Sequence, residues 1–168
     1  MLTRKNLAAL IAAFIVLFLY SPAMRSQTVP EEARALIVEG KAECVLVKDG
    51  VIVAQESGHG VSPLLNLYDA QGEAMRGAMV VDKVIGRAAA SVAICGGAVH
   101  VHGELMSEDA VAFLSDNGIT SSYTTLVPCI LNRRMDGLCP LEQSVLGLTD
   151  PQEALTALRR KVAQMQSE

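Results

Sequence analysis

Cys44-Val45-Leu46-Val47 and Val51-Ile52-Val53-Ala54 are two apolar, β-rich runs separated by Lys48-Asp49-Gly50. An Asp-Gly step readily takes the positive φ angles that a tight hairpin turn demands, so the two runs read as an antiparallel pair. Upstream, Glu31 to Glu39 carries Ala33, Leu36 and Ile37 with acids at its start, and Gly40 follows where a helix would stop. Downstream, Ser57 to Gly60 is a loop leading to Ser62 as N-cap, Pro63 at the first helical position, and a short helix bearing Leu64, Leu65, Leu67 and Tyr68.

Beyond the hairpin the periods alternate. Gly77 to Val81 is a small apolar stretch, and Asp82 is expected to cap a helix in which Ile85, Ala88, Ala89, Val92 and Cys95 recur at helical spacing up to Gly96-Gly97. Ala98 to His102 reads as a strand. Ser107 opens a helix through Val111, Phe113 and Leu114 that Gly118 ends, and Ile119 to Val127 is a further strand. Pro128 to Arg134 is irregular, Gly137 to Pro140 turns into a short helix, and Asp150-Pro151 caps a last amphipathic helix with Leu155, Leu158 and Val162. No internal repeat is present. An antiparallel pair followed by alternating helices and strands implies an α/β fold, a three-layer α/β/α sandwich on a mixed sheet.

Composition bounds the function classes. The 168 residues are 51% hydrophobic and 19% charged, which is enough apolar surface for a packed core and excludes a disordered or low-complexity chain. A net charge of -4 argues against nucleic acid as a partner, since neutralising phosphates takes a basic face. The charge is also uneven: Arg4, Lys5 and Arg25 give residues 1–30 a charge of +3, leaving -7 to residues 31–168. Leu7 to Tyr20 is an uncharged run, shorter than the ~20 residues of an unaided bilayer span. It reads as an N-terminal hydrophobic helix, either an export signal cut after Ala23 or a retained anchor, with a buried helix as the plain alternative. Residues 1–29 are thus expected to be leader plus linker and residues 30–168 the domain, exported or membrane-anchored if the leader is genuine and cytoplasmic otherwise. Membrane association through residues 7–20 is the corollary. Nothing here sets the oligomeric state, and a homo-oligomer is compatible with the chain.

Cys44, Cys95, Cys129 and Cys139 form no C-x-x-C pair, so the spacing offers no structural zinc site and leaves disulfide pairing open. Four places could carry chemistry. Asp82-Lys83, if it opens a helix, places a carboxylate and an ammonium beside free backbone N–H groups, an anion-binding arrangement; capping alone is the plain alternative. Cys139 stands at the N-cap of a helix begun by Pro140, where a thiolate is stabilised and could act as a nucleophile, and Glu142 at the third position could instead complete a capping box. Asn132-Arg133-Arg134 could hold a carboxylate or phosphate by forked hydrogen bonds. His100-Val101-His102, with Glu104 next on the same strand face, contains metal-ligand types but no identifiable third partner, and hydrogen-bonded histidines are the plainer reading. Finally, the glycines of Ser57-Gly58-His59-Gly60 would allow a ligand close to the backbone.

Several of these motifs occur together in a known order. Asp82-Lys83-Val84-Ile85-Gly86-Arg87-Ala88-Ala89-Ala90, with Gly58-x-Gly60-Val61-x-Pro63-Leu64-Leu65 before it and Asn132-Arg133, Gly137-x-Cys139-Pro140-x-Glu142 after it, resembles the bacterial family known as domain of unknown function 1893 over residues 30–163. The resemblance implies a cytidine-deaminase-like fold. Zinc deaminases place His-x-Glu at one helix start and Pro-Cys-x-x-Cys at the next. Here Asp82-Lys83 and Ser107-Glu108-Asp109-Ala110 are expected at those starts, so the zinc triad is absent and no cofactor or metal is expected. What the resemblance leaves is a pocket between two helix N-termini for a small polar or anionic, nucleotide-like metabolite. Asp82, Lys83, Cys139 and Glu142 would be its chemical groups, with Gly58, Gly60, Ser107, Asn132 and Arg133 as binding contacts. A non-catalytic ligand sensor and a membrane-tethered interaction module are the alternatives to an enzyme.

Overall fold

The computed structural model describes residues 29–167. The leader, signal and anchor expectations for Leu7 to Tyr20 lie outside that range. Among the described residues no helix is long and apolar enough to cross a membrane.

Five strands form one sheet in the order β2-β1-β3-β4-β5. They are β1 (Cys44–Lys48), β2 (Val51–Glu56), β3 (Met79–Ile85), β4 (His100–Ser107) and β5 (Thr120–Val127). The hairpin expectation holds: β1 and β2 are antiparallel, and Asp49 and Gly50 both take positive φ, 53° and 80°, as a turn with the twist of its flanking strands requires. β1 is also antiparallel to β3, whereas β3-β4 and β4-β5 are parallel, so the sheet is mixed and β2, β3, β4 and β5 all run the same way.

The helices are α1 (Glu31–Val38), α2 (Ser62–Met75), α3 (Arg87–Cys95), α4 (Glu108–Asp116), α5 (Pro140–Val145) and α6 (Pro151–Gln166). They cover the two sheet faces unequally. Cys44, Leu46, Val80, Val101 and Met106 point into a main core with Leu64, Leu67, Ala90, Val92, Phe113, Leu114, Val145 and Leu158 of α2–α6. On the other face a second, smaller core joins Ala33 and Ile37 of α1 to Val45, Val47 and Val81. The three-layer expectation therefore holds, with one eight-residue helix over β1 and β3 as the thin layer among the described residues.

Three boundaries differ from the sequence reading, the first being β4, which runs His100–Ser107 rather than Ala98 to His102. Helix α2 is 14 residues long rather than short, and it begins without a side-chain cap, Ser62 lying inside it and Val61 flanking it. More consequentially, Asp82 and Lys83 do not open a helix: they sit inside β3, and α3 begins at Arg87 after an N-cap at Gly86. The step lies within the strand because β3 is paired on both sides, with Cys44 of β1 and Gly103 of β4 opposite Asp82. The Asp82 carboxylate itself accepts from the Val84 N–H at 2.9 Å, which serves as a local polar anchor within the strand. Ser107 does open α4 as expected, its hydroxyl accepting from the Ala110 N–H at 3.1 Å, and Asp150 opens α6 by accepting from Gln152 at 2.7 Å.

Candidate functional site

Since β2–β5 are parallel to one another, their C-terminal ends share one rim of the sheet. The register puts Glu56, Cys44, Asp82, Gly103 and Tyr123 in one row across all five strands, at the end of β2 and midway along β3, β4 and β5. Beyond that row lie the β2–α2 loop with Gly58 and Gly60, the start of α3, Ser107 at the start of α4, and the segment after β5 that carries Asn132, Arg133, Cys139 and Glu142. Ligands of open α/β sheets gather at such a rim.

Asp82 is buried, 8% exposed, on the main-core side of β3, and its neighbour across the strands is the fully buried Cys44. Burial pushes the Asp82 carboxyl up from 3.8 to about 7, with the Val84 and Cys44 hydrogen bonds pulling it part of the way back. Burial also raises the Cys44 thiol well above its ordinary range, which keeps it protonated and chemically quiet. Lys83, next along the strand, projects to the opposite face and pairs with Glu43 at 3.0 Å. The expected acid-amine pair at a helix start is therefore not formed, because strand alternation separates the two side chains.

The helix N-terminus that does exist at the rim is already filled by the chain. Both Glu142 oxygens take backbone N–H groups of α3, Oε2 from Arg87 at 2.8 Å and Oε1 from Ala88 at 3.0 Å. Glu142 thus caps α3 rather than completing a capping box on its own helix, correcting the sequence expectation. Gly86 has no side chain to cap with, and a Cβ there would lie 2.4 Å from the Glu142 carboxylate, so glycine is what admits the foreign cap. Burial raises the Glu142 carboxyl, opposed by the two N–H bonds. Arg87 adds a second clamp. Its Nε donates to Asp109 at 2.8 Å, another guanidinium nitrogen donates to the Leu148 carbonyl at 2.9 Å, and the group lies 4.2 Å from the Phe113 ring centre. The starts of α3 and α4 and the α5–α6 junction are thereby tied together.

The remaining candidates shape the rim rather than join this cluster. Asn132 accepts from the Arg134 and Asp136 N–H groups and donates to the Asp136 carboxylate, closing a tight turn on which Arg133 is exposed. Cys139 is the N-cap of α5 without a side-chain cap bond, and its N–H donates to the Ile130 carbonyl at 2.9 Å. Gly58 and Gly60 take positive φ of 148° and 60°. Among the described residues no hydrogen bond or ion pair joins Asp82 or Lys83 to Cys139 or Glu142. Two surface depressions, of about 480 and 430 Å³, are lined by Leu148 with Gln152 and Thr156 of α6, and by Tyr68, Asp69 and Arg76 along and after α2; none of Asp82, Lys83, Cys139 or Glu142 lines either.

The zinc arrangement of the deaminases does not fit these residues. Gly86-Arg87-Ala88 and Ser107-Glu108-Asp109 supply neither histidine nor cysteine, and the acid between them is consumed as a helix cap. Among the described residues no group of three His, Cys, Asp or Glu is placed to hold a metal ion. Sequence reasoning missed Gly86 and Arg87; the signal available was a glycine directly after Val84-Ile85 and before an Ala-rich run.

Comparison with known proteins agrees with this architecture. A family profile described as domain of unknown function (DUF1893) matches residues 32–162. No curated protein matches. Among solved structures, a DUF1893 family protein from Thermotoga maritima is similar at 22% identity and a TM-score of 0.69, over 84% of this chain and 99% of that one. A diaminohydroxyphosphoribosylaminopyrimidine deaminase/5-amino-6-(5-phosphoribosylamino)uracil reductase from Thermotoga maritima shares 17% identity at a TM-score of 0.41, over 69% of this chain and 39% of that one. RibD of Acinetobacter baumannii shares 18% at 0.41, over 76% and 38%.

Proposed function

The chain belongs to the family of domain of unknown function 1893, and we propose that its domain binds a small polar or anionic, nucleotide-like metabolite at the rim where β2–β5 end, without zinc. One observation supports the reading: Asp82, a buried carboxyl inside the central strand β3, titrates near neutrality on the sheet whose parallel strands lead into the loops that bear Gly58, Gly60, Ser107 and Arg133. A strongly shifted buried carboxyl in a central strand is a recurrent mark of a binding or catalytic position. Protonated, Asp82 offers a hydroxyl donor; ionised, it accepts from amino groups, the two faces a base or sugar edge presents. Arg133 supplies attraction for the ligand's charge, and the side-chain-free backbone at Gly58 and Gly60 permits close approach. With Glu142 seated on α3, the anion does not take that helix end; the reading therefore moves the ligand from between the helix N-termini to the surrounding loops.

The test is a thermal-shift screen of nucleotides, nucleosides and sugar phosphates at pH 6 and pH 8, followed by calorimetry on hits. A ligand at about 100 times its Kd should add roughly 2.7 kcal/mol of stability. Asp82→Asn and Arg133→Ala should weaken it tenfold or more, and mass spectrometry of the recovered ligand should find it unchanged. A hit whose affinity ignores both replacements would place binding elsewhere, and a recovered ligand chemically altered would make the domain an enzyme.

A further inference from the structure

The half of the second sheet face that α1 leaves uncovered holds a connected set of polar side chains from β4, β5 and α1. Parallel pairing sets His100 beside Thr120 and His102 beside Ser122, in the same rows as Met79 and Val81 of the small core. His100 Nδ1 lies 2.7 Å from Thr120 Oγ1, and His100 Nε2 lies 2.9 Å from Ser122 Oγ. Ser122 Oγ is also 2.9 Å from His102 Nδ1, and His102 Nε2 is 3.3 Å from Glu104 Oε1. Arg34 of α1 grips Glu104 through both oxygens at 2.7 and 3.1 Å and reaches Thr124 at 3.1 Å.

Donor counting gives this chain a direction. Arg34 holds the Glu104 carboxyl down at about 2, so it is an ionised acceptor and His102 Nε2 must carry the proton facing it. Burial lowers both imidazoles from their ordinary 6.5, so His102 is neutral at pH 7 and its Nδ1 is bare. The Ser122 hydroxyl therefore donates to His102 Nδ1. Its single hydrogen being used, it accepts from His100 Nε2–H. His100 Nδ1 is then the acceptor for the Thr120 hydroxyl, the shorter of that hydroxyl's two contacts, the other being the Val99 carbonyl at 3.2 Å. Ser122 thus donates to an imidazole whose far nitrogen is held by a carboxylate, the role assignment of a serine-histidine-acid triad with the two ring nitrogens exchanged. One oxygen lone pair stays free, and the side chain is half-buried beside the exposed Thr120 and Thr124.

We propose that Ser122, His102 and Glu104 form a second site, separate from the rim, at which Ser122 is a nucleophile toward esters of small carboxylic acids. Ser122 Oγ attacks the ester carbonyl carbon while its proton passes to His102 Nδ1, leaving an imidazolium paired with Glu104. Collapse of the adduct breaks the carbon–alkoxide bond, and His102 returns that proton to the departing alcohol. Water then attacks the acyl-serine by the same route, releasing the carboxylic acid and restoring Ser122. Ser122 and His102 touch the reacting atoms; Glu104 and Arg34 are positioning residues.

The experiment uses the full-length chain with a fluorophosphonate probe and with p-nitrophenyl acetate. Peptide mapping should place the phosphonate on Ser122, with fluoride as the leaving group, and acetate should burst onto the same residue. Ser122→Ala should abolish the adduct, and His102→Asn should slow it by about 10²-fold or more. Glu104→Gln should slow it and move its pH profile; in the native chain the rate should rise with pH through a midpoint below 6.5, the ordinary imidazole value. Ser121→Ala, on the opposite face of β5, should label as the native chain does. Absence of an adduct, an adduct elsewhere, or equal labelling of correctly folded His102→Asn would overturn the proposal.

Discussion

Asp82→Asn should remove a measurable loss of stability with rising pH. The native carboxyl titrates at about 7 against 3.8 when unperturbed, so the folded chain holds its proton through a window in which the unfolded chain has lost it. Where the native state binds more protons, stability falls as pH rises; the Asp82 contribution is favourable below pH 4 and is lost progressively up to pH 7. The full cost of burying the charge is about 4 kcal/mol, of which roughly 3 kcal/mol develops between pH 5 and pH 8. Asparagine keeps the oxygen that the Val84 N–H donates to at 2.9 Å and carries no charge, so the variant escapes this cost. Other groups titrate nearby: Glu142 is raised and acts in the same direction, while His100 and His102 are lowered and act oppositely up to about pH 6.5. They are common to both proteins and cancel in the difference. Urea unfolding of both chains at pH 5, 6, 7 and 8 should show the variant gaining on the native protein by about 3 kcal/mol over that range. Parallel pH profiles would refute the buried, neutral-titrating carboxyl and with it the main support for the rim site.

The other predictions concern the clamps. Glu142→Ala should destabilise by about 2–4 kcal/mol, since two buried N–H groups lose a charged acceptor; Gly86→Ala should cost about as much by displacing the carboxylate, and the double variant should cost far less than the sum, all read by urea midpoints. Arg34→Ala should let the Glu104 carboxyl climb from about 2 toward 4.5 in carboxyl NMR titration, while costing under about 1 kcal/mol because the Arg34 side chain is 41% exposed. Ser107→Ala should cost about 1 kcal/mol in the same denaturation assay through loss of the α4 cap.

Local signals were legible where one residue type has one strong conformational use. Asp49-Gly50 specified its turn, Ser107 and Asp150 their helix starts, and the alternation of β-branched and helical stretches the mixed sheet. Asp82-Lys83 misled because a charged pair after an apolar run has two uses, cap and strand interior. Only pairing on both sides of β3 decides between them, and that pairing comes from β1 and β4, residues far away in sequence. Glu142 misled for a related reason: its spacing from Cys139 fits a cap on its own helix, yet its carboxylate travels 55 positions back to Arg87, where Gly86 leaves the space.

Turn, cap and period are short-range consequences of backbone sterics and side-chain reach, so the amino-acid order alone determined the hairpin, most of the helices and the strands β4 and β5, but not the central strand β3, which it offered only as a small apolar stretch before a helix start. Which carboxyl is starved of water, which helix end is filled by a distant acid, and which hydroxyl lies against two imidazoles are questions of burial and of contact between remote segments. Those depend on where the packed chain excludes solvent, and only the tertiary structure could settle them.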